Sequence, residues 1–226
     1  MSIVVIIPAA GSGSRFGGSI PKQFQQLAGK PLIQHVIERF LLDENVSRVI
    51  VPVAEMLLAS VKNSERVAFI AGGATRQQSV MRGVAAAGDD AELIAIHDAA
   101  RPLFSAATFH AVISAARDAG ASLPVVPVTD TIHVMTNEAT VAETLDRAML
   151  GAAQTPQCFR PDILRDVLER AVRDGVTSAT DEAGLAARYG YLVKAVPGDP
   201  RNLKITLPED LAIAESYLEQ WSDSDS

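Results

Sequence analysis

The stretch IVVIIPAAGSGSRFG, residues 3–17, places an unbroken β-branched run directly before a glycine-containing loop. The first five residues indicate a buried strand, because β-branched side chains favour extended backbone and the run has no polar alternation. The loop combines exposed backbone N–H groups with two cationic side chains, Arg15 and, a few residues later, Lys22. Such a loop can bind a phosphate, although glycines also serve ordinary tight turns.

After this first strand, strand-like and helix-like segments alternate through most of the chain. It predicts an α/β fold, namely a Rossmann-like, mostly parallel twisted sheet flanked by helices. Predicted strands cover residues 3–7, 48–53, 67–71, 93–97, 121–128 and 191–196. Predicted helices, identified from the spacing of apolar residues along one face, cover residues 31–42, 75–87, 106–119, 162–173 and 209–217.

Residues 129–150 interrupt this alternation. Strand-like segments on both sides of the turn candidate Thr136-Asn137-Glu138 predict a β-hairpin arm that protrudes from the main body. The chain is therefore expected to form a single domain over residues 1–226, with this arm and with a disordered acidic tail over about residues 221–226.

Composition narrows the class of protein. The 226 residues include 20 basic and 27 acidic side chains, and the net charge of −7 argues against a surface for nucleic acid or for an anionic membrane. The single cysteine, Cys158, excludes an internal disulfide and a multi-cysteine zinc site. Since no apolar run is long enough for a leader or a membrane span, we expect a cytoplasmic protein.

Open parallel sheets bind ligands beyond the carboxyl ends of their strands, and this rule points first to residues 9–23. The glycine spacing there is G-x-G-x-x-x-G, which departs from the dinucleotide-binding pattern. The P-loop pattern, which needs a glycine followed directly by Lys-Ser or Lys-Thr, is absent from the sequence. Two cations in the loop, Arg15 and Lys22, suit a triphosphate better than the less charged pyrophosphate of a dinucleotide.

A second strand end carries the segment IHDAARP, residues 96–102. Asp98 is a candidate Mg²⁺ ligand, because magnesium prefers one or two carboxylates together with substrate phosphates. Arg101 would then face an anion. The alternative is that Asp98 caps the following turn and pairs with Arg101. The neighbouring His97 is expected to be a packing residue without a functional role.

Three further segments carry polar residues that could face a ligand: GGATRQQSV (72–80), TDEAGLA (180–186) and NLKIT (202–206). In the first, backbone and hydroxyl groups could read a base or a ribose, or Thr75 could simply cap a helix. In the second, Thr180 predicts a helix N-cap followed by acidic first-turn residues. In the third, Lys204 stands in an apolar context and needs a carboxylate partner or an anion.

Together, PAAGSGSRFG, PKQF, GGATRQQSV, HDAARP, VTDTI, LDR, TPQCF, TDEA and NLKIT follow one another in the order typical of 2-C-methyl-D-erythritol 4-phosphate cytidylyltransferases. The chain resembles this family over residues 7–211. One departure is Ala74, which follows the glycine pair at a position where an acidic residue is expected in many relatives. Backbone contacts would then do more of the base or ribose recognition here.

The resemblance implies transfer of a cytidylyl group from CTP to 2-C-methyl-D-erythritol 4-phosphate, with release of pyrophosphate, in the non-mevalonate route to isoprenoids. It implies catalytic roles for Arg15, Lys22 and Lys204 and a Mg²⁺ ion held by Asp98. Residues expected to contact CTP are Pro8, Ala9, Ala10, Gly11, Gly13, Arg15, Lys22, Gly73, Arg76, Ser79, Asp98 and Ala99. Residues expected to contact the acceptor are Asp98, Arg101, Thr131, Arg147, Thr155, Thr180 and Lys204.

The resemblance also implies a homodimer, in which the arm carries Thr131 and Arg147 into the site of the neighbouring subunit. Two alternatives stay open at the level of sequence. One keeps the reaction and replaces the acceptor by ribitol 5-phosphate. The other is a noncatalytic module that binds CTP without turnover. Charges converging on the α-phosphate from two sides, such as Lys22 and Lys204, favour catalysis because binding alone does not require them.

Overall fold

The computed structural model describes residues 2–11, 21–177 and 179–221. These residues form the strands β1 (Ile3–Ile6), β2 (Gln26–Leu27), β3 (Lys30–Pro31), β4 (Val46–Val53), β5 (Val67–Ala71), β6 (Leu93–Ile96), β7 (Ala121–Pro127), β8 (His133–Met135), β9 (Val141–Thr144), β10 (Gly151–Ala153), β11 (Gln157–Phe159) and β12 (Lys194–Pro197). They also form the helices α1 (Leu32–Leu41), α2 (Arg76–Ala87), α3 (Ala106–Ala119), α4 (Pro161–Arg173), α5 (Glu182–Arg188) and α6 (Glu209–Glu219). Within these ranges, no helix is both long and apolar enough to cross a membrane.

Eight strands make one mixed sheet, in the order β10-β7-β11-β6-β1-β4-β5, with β12 paired to β7. β1 is hydrogen-bonded in parallel to β4 on one side and to β6 on the other. β11 runs antiparallel between β6 and β7, and β10 runs antiparallel to β7. From β1 the chain first continues to β4 and β5 on one side and then returns to β6 on the other side. Sheets with such a reversal of strand order bind ligands at that point, beyond the carboxyl ends of the strands.

Apolar layers cover both faces of the sheet. Ile3 and Val5 of β1 point into the layer formed with α1 and α3, whereas Val4 and Ile6 point into the layer formed with α2, α4 and α5. All four side chains are at most 4% exposed, and each such burial contributes about 1.5–3 kcal/mol. Burial on two faces explains why the β1 sequence is apolar without alternation.

A third, smaller apolar cluster packs α6 against Leu27, Leu103 and Ile205. Leu27 belongs to the small β2–β3 pair that follows Lys22, and Ile205 is the neighbour of Lys204. The backbone N–H of Ile205 also donates to the carbonyl oxygen of Ala100 at 2.8 Å. The C-terminal helix thus holds segments that border the carboxyl edge of the sheet.

The predicted α/β class and mostly parallel sheet are confirmed, and the structure corrects two details. The strand predicted over residues 191–196 begins only at Lys194, because Tyr191 turns toward α4 and its hydroxyl donates to Asp166 Oδ2 at 2.7 Å. β10 and β11 are not marked by any sequence pattern. Each strand has three residues and is defined by its hydrogen bonds to β6 or β7, which lie at a distance in the chain.

The predicted arm is a hairpin of β8 and β9, whose side chains are all exposed. Its turn is closed by the Thr136 backbone, which bonds to Thr140 and Ala139, and Ala139 takes a φ of 58°. The predicted disordered tail falls almost entirely on residues 222–226, which lie outside the described residues.

Candidate functional site

Two pockets lie next to each other at the carboxyl edge of the sheet. The first, of about 270 Å³, opens beside the ends of β1 and β5, and the second, of about 200 Å³, opens beside β6 and the segment before β11. Arg76, Asp98 and Lys204 line both pockets. These three residues form what we call the shared wall.

Residues predicted to contact CTP line the first pocket wherever the structure describes them: Pro8, Ala9, Ala10, Gly11, Lys22, Gly73, Arg76, Ser79, Asp98 and Ala99. Gly13 and Arg15 lie outside the described residues. The sequence pattern does not mark Gln23, whose buried amide nitrogen donates to the carbonyl oxygens of Ala9 at 2.6 Å and Gly11 at 3.2 Å. Gln23 therefore holds the turn that bears Lys22 against the end of β1.

Residues predicted to contact the acceptor divide into two groups. Asp98, Arg101, Thr155, Thr180 and Lys204 line the second pocket. Thr131 and Arg147 instead lie exposed on the arm and line neither pocket of their own chain. The Arg147 guanidinium donates to the carbonyl oxygen of Thr129 at 2.7 Å, which keeps it at the base of the arm.

Asp98 is surrounded by cations. Its carboxylate lies 2.8 Å from Lys204 Nζ, 3.6 Å from Arg76 Nε and 3.8 Å from Arg101 Nε. Burial alone raises the pKa of this carboxyl, but Lys204 and Arg76 outweigh burial and hold the pKa well below its usual range. Asp98 is therefore ionised at neutral pH, and its charge keeps three cations close together.

Arg76 is fixed from behind by Glu182. Its Nη1 donates to both carboxylate oxygens, at 2.7 and 2.9 Å, and the Glu182 side chain is 1% exposed. Burial lowers the pKa of Arg76, but the charges of Glu182 and Asp98 outweigh it and raise the pKa, so Arg76 stays charged. Glu182 is thus more than an acidic first-turn residue, and the N-cap of α5 is Asp181, not Thr180.

The Arg101 guanidinium donates hydrogen bonds to backbone carbonyl oxygens. Its Nη1 donates to the carbonyl oxygen of Asn202 at 2.7 Å, and its Nη2 to that of Ala153 at 3.3 Å. Of the alternative interpretation, the ion pair between Arg101 and Asp98 is present at 3.8 Å, whereas the turn is closed by the Arg101 N–H, which donates to the backbone carbonyl oxygen of Asp98 at 3.0 Å. Arg101 therefore ties together the chain segments that line the second pocket.

The loop after β5 exposes its backbone to the first pocket. Ser79 Oγ accepts from the N–H of Gly73 at 3.0 Å and donates to the carbonyl oxygen of Thr75 at 3.0 Å. Thr75 also caps α2, as the alternative interpretation predicted. A Cβ atom at position 73 would lie 2.3 Å from Gln78 Cβ, so this close packing requires glycine.

A divalent cation could be held at the shared wall by Asp98. Among the described residues that line the first pocket, Asp98 is the one with a carboxylate, and no cluster of three or more potential metal ligands occurs in the described ranges. Magnesium commonly takes one or two carboxylates and completes its shell with water and substrate phosphates. The donor set therefore fits a magnesium ion that arrives with a nucleotide.

Known proteins resemble this chain over nearly its whole length. A sequence model of the 2-C-methyl-D-erythritol 4-phosphate cytidylyltransferase family matches residues 3–220. A protein of that name from Symbiobacterium thermophilum is 40% identical over 221 residues, covering 96% of this chain and 93% of its own. The crystal structure of the Thermus thermophilus enzyme of that name is 35% identical, with a TM-score of 0.82 over 97% of this chain and all of the other. The Francisella tularensis structure is 27% identical, with a TM-score of 0.84 over 96% of this chain and 99% of its own.

Proposed function

The chain belongs to the 2-C-methyl-D-erythritol 4-phosphate cytidylyltransferase family and transfers a cytidylyl group from CTP to that polyol phosphate, and we propose that the transfer takes place at the shared wall. CTP occupies the first pocket and the acceptor occupies the second. The observation that carries this proposal is that the residues expected for each substrate line separate pockets which meet at Asp98 and Lys204.

The reaction joins two anions. An oxygen of the acceptor phosphate attacks the α-phosphorus of CTP, a new P–O bond forms, and the bond to the pyrophosphate oxygen breaks. The attacking oxygen is already ionised at neutral pH, so the protein needs no covalent nucleophile and no strong base. Its main task is to supply fixed positive charge where negative charge crowds in the transition state.

The cations of the cleft supply that charge from two directions. Lys22, and with it Arg15, holds the triphosphate from the side of the β1 loop. Lys204 acts from the wall between the substrates, where its contact with Asp98 keeps the ammonium close to both pockets. Arg76 adds a fourth charge, which Glu182 holds in place.

Magnesium is the proposed cofactor, and Asp98 is the residue that would hold it. When bound, it would neutralise phosphate charge beside Asp98 and favour departure of pyrophosphate. The neighbouring cations keep the Asp98 carboxylate ionised by lowering its pKa, and a magnesium ion would share this carboxylate with Lys204.

Base recognition falls to the loop after β5. Ser79 is 1% exposed and its hydroxyl already serves the loop, so it acts by shaping the backbone. Backbone groups near Gly73 and Ala74 then read the cytosine edge, and Arg76 lies beside the ribose. The absence of a carboxylate at Ala74 leaves this recognition to the backbone.

A homodimer completes the acceptor pocket. The arm exposes Val134, Met135, Val141 and Met149, each between 41% and 83%, and such a group of apolar side chains gains from burial against a second subunit. The same arm would bring Thr131 and Arg147 to the partner's acceptor pocket. The cytoplasm is the proposed location, because a chain with one cysteine forms no internal disulfide and suits a reducing compartment.

Pyrophosphate release tests the proposal directly. With CTP and Mg²⁺, 2-C-methyl-D-erythritol 4-phosphate should give rapid release, and ribitol 5-phosphate should give much less. Faster release with ribitol 5-phosphate would show that the acceptor of this enzyme is ribitol 5-phosphate. Binding of CTP without release from either acceptor would identify a noncatalytic module.

A further inference from the structure

A buried polar network lies beneath the second pocket. It connects His97 and Asp98 after β6, Thr155 before β11, and Asn202 in the segment that leads to Lys204. His97 and Asn202 are fully buried, and Thr155 is 4% exposed. Three separate chain segments that line the acceptor pocket therefore share one set of hydrogen bonds.

The directions of these bonds can be assigned from chemistry alone. His97 Nε2 lies 2.9 Å from the carbonyl oxygen of Arg101, which can only accept, so Nε2 carries the hydrogen. In a neutral ring, Nδ1 is then an acceptor. Thr155 Oγ1 lies 3.1 Å from Nδ1 and also accepts from the N–H of Asp98 at 3.0 Å, so its single hydrogen points to His97.

The surroundings keep the imidazole neutral and in place. The ring centroids of Phe40 and Phe104 lie 5.1 and 4.6 Å from that of His97. The ring is fully buried between these aromatic side chains, and such an apolar site favours the uncharged form of an imidazole. A neutral ring is the form that accepts the Thr155 hydrogen.

We propose that His97 is a positioning residue for cytidylyl transfer, because it orients the Thr155 hydroxyl, which in turn fixes the backbone of Asp98 at the shared wall. This inference rests on the proposed function of that wall. It departs from the expectation that His97 is a packing residue without a functional role, and it gives Thr155, which was expected to contact the acceptor, a role through Asp98. Because its one hydrogen is engaged by His97, the Thr155 hydroxyl does not donate to the acceptor, and the contact that His97 orients is the one with the backbone N–H of Asp98.

Kinetics of matched variants test this inference. Thr155→Val keeps the shape and removes the hydroxyl, and it should lower kcat by about tenfold to hundredfold, the usual effect of a small displacement at a reacting centre. KM for the acceptor should change much less. Thr155→Ser should recover most of the loss, and His97→Asn, which keeps an acceptor near the position of Nδ1, should exceed His97→Leu in kcat.

Two controls separate positioning from structure and from direct contact. Thr108→Val removes another buried threonine hydroxyl, one that accepts from the hydroxyl of Ser105, the N-cap of α3, and it should lower thermal stability without lowering kcat. When Asp98→Asn is already present, adding Thr155→Val should lower kcat little further, because both substitutions act on Asp98. A large increase in KM for the acceptor with unchanged kcat, or full additivity with Asp98→Asn, would overturn the inference.

The tautomer of His97 gives a readout that does not depend on activity. In protein labelled with ¹⁵N-histidine, His97 should show a protonated Nε2 and an unprotonated Nδ1, and Thr155→Val should shift the Nδ1 resonance. A protonated Nδ1 would overturn the inference even in an active enzyme. Failure of the proposed function is recognised separately, since the wild-type protein would then release no pyrophosphate.

Discussion

The Lys204 ammonium lies 2.8 Å from a carboxylate oxygen of Asp98, at the boundary between the two pockets. The lysine side chain is 40% exposed, and ion pairs of this exposure usually stabilise a fold by at most about 1 kcal/mol. Stability therefore gives little reason for the contact. Its consequence is that a positive charge stays where both anionic substrates must meet.

Lys22 should matter for turnover far more than for folding, because it lines the first pocket and belongs to none of the apolar clusters. Lys22→Ala should lower kcat/KM by about 10²–10³, the usual loss for one preorganised charge at a transition state. Arg15→Ala is expected to have an effect of similar size. Pyrophosphate release and thermal melting measure the two properties, with the exposed Lys62→Ala as control. Turnover near the wild-type value in Lys22→Ala would remove this residue from the triphosphate site.

Glu182 should stabilise the fold as well as the site. Glu182→Ala leaves the Arg76 guanidinium without its buried partner, and removal of one partner from a buried pair costs about 3–5 kcal/mol. Urea unfolding measures this loss, and Glu169→Ala on the exposed face of α4 is the control. Activity should fall as well, because Arg76 would leave the shared wall. A change in the free energy of unfolding no larger than that of the control would contradict the assignment.

CTP should be preferred to UTP by at least about tenfold in kcat/KM. Cytosine N4 donates a hydrogen bond where uracil O4 accepts one, and a mismatched buried group costs about 1–3 kcal/mol. Parallel assays with the two nucleotides at limiting concentration measure the ratio. Equal values would show that the backbone near Gly73 does not read the base edge.

Asp98 should make the fold sensitive to acid. The pKa of its carboxyl is lower in the folded state than in the unfolded state, where it is about 3.9, so ionised Asp98 stabilises the fold at neutral pH. This contribution is present above the unfolded pKa and is lost as pH falls through the folded pKa. The difference in unfolding free energy between wild type and Asp98→Asn should therefore shrink from about pH 4 downward, as measured by urea titrations. A difference that is constant with pH would speak against the ion cluster.

The arm should complete the site of the partner subunit. If so, Lys22→Ala and Arg147→Ala homodimers are each nearly inactive, but a mixed dimer contains one site with both intact residues. Random exchange at equal concentrations makes half of the dimers mixed, so activity should return to roughly a quarter of the wild-type value. Refolding the two variants together and assaying the mixture measures this recovery. No recovery would mean that Arg147 serves its own chain.

Features that depend on residues close together in the chain could be predicted from the sequence. Short apolar runs that contain β-branched residues predicted the parallel strands β1, β4, β5 and β6, and strand ends predicted which segments line the cleft. The partners of those residues could not be predicted. Glu182 meets Arg76 across 106 residues of chain, and His97 meets Thr155 across 58, so these contacts exist only once the sheet has formed. Short strands such as β11 escape prediction for the same reason.

Lys204→Met is the most direct test of transfer at the shared wall, because it removes the charge and keeps the length of the side chain. With both substrates saturating, kcat for pyrophosphate release should fall by about 10²–10³. The dissociation constant for CTP, measured by calorimetry, should rise by less than about tenfold, and Lys194→Met on the exposed strand β12 should resemble wild type. A folded Lys204→Met protein that keeps wild-type kcat, or that loses only CTP affinity, would contradict the account.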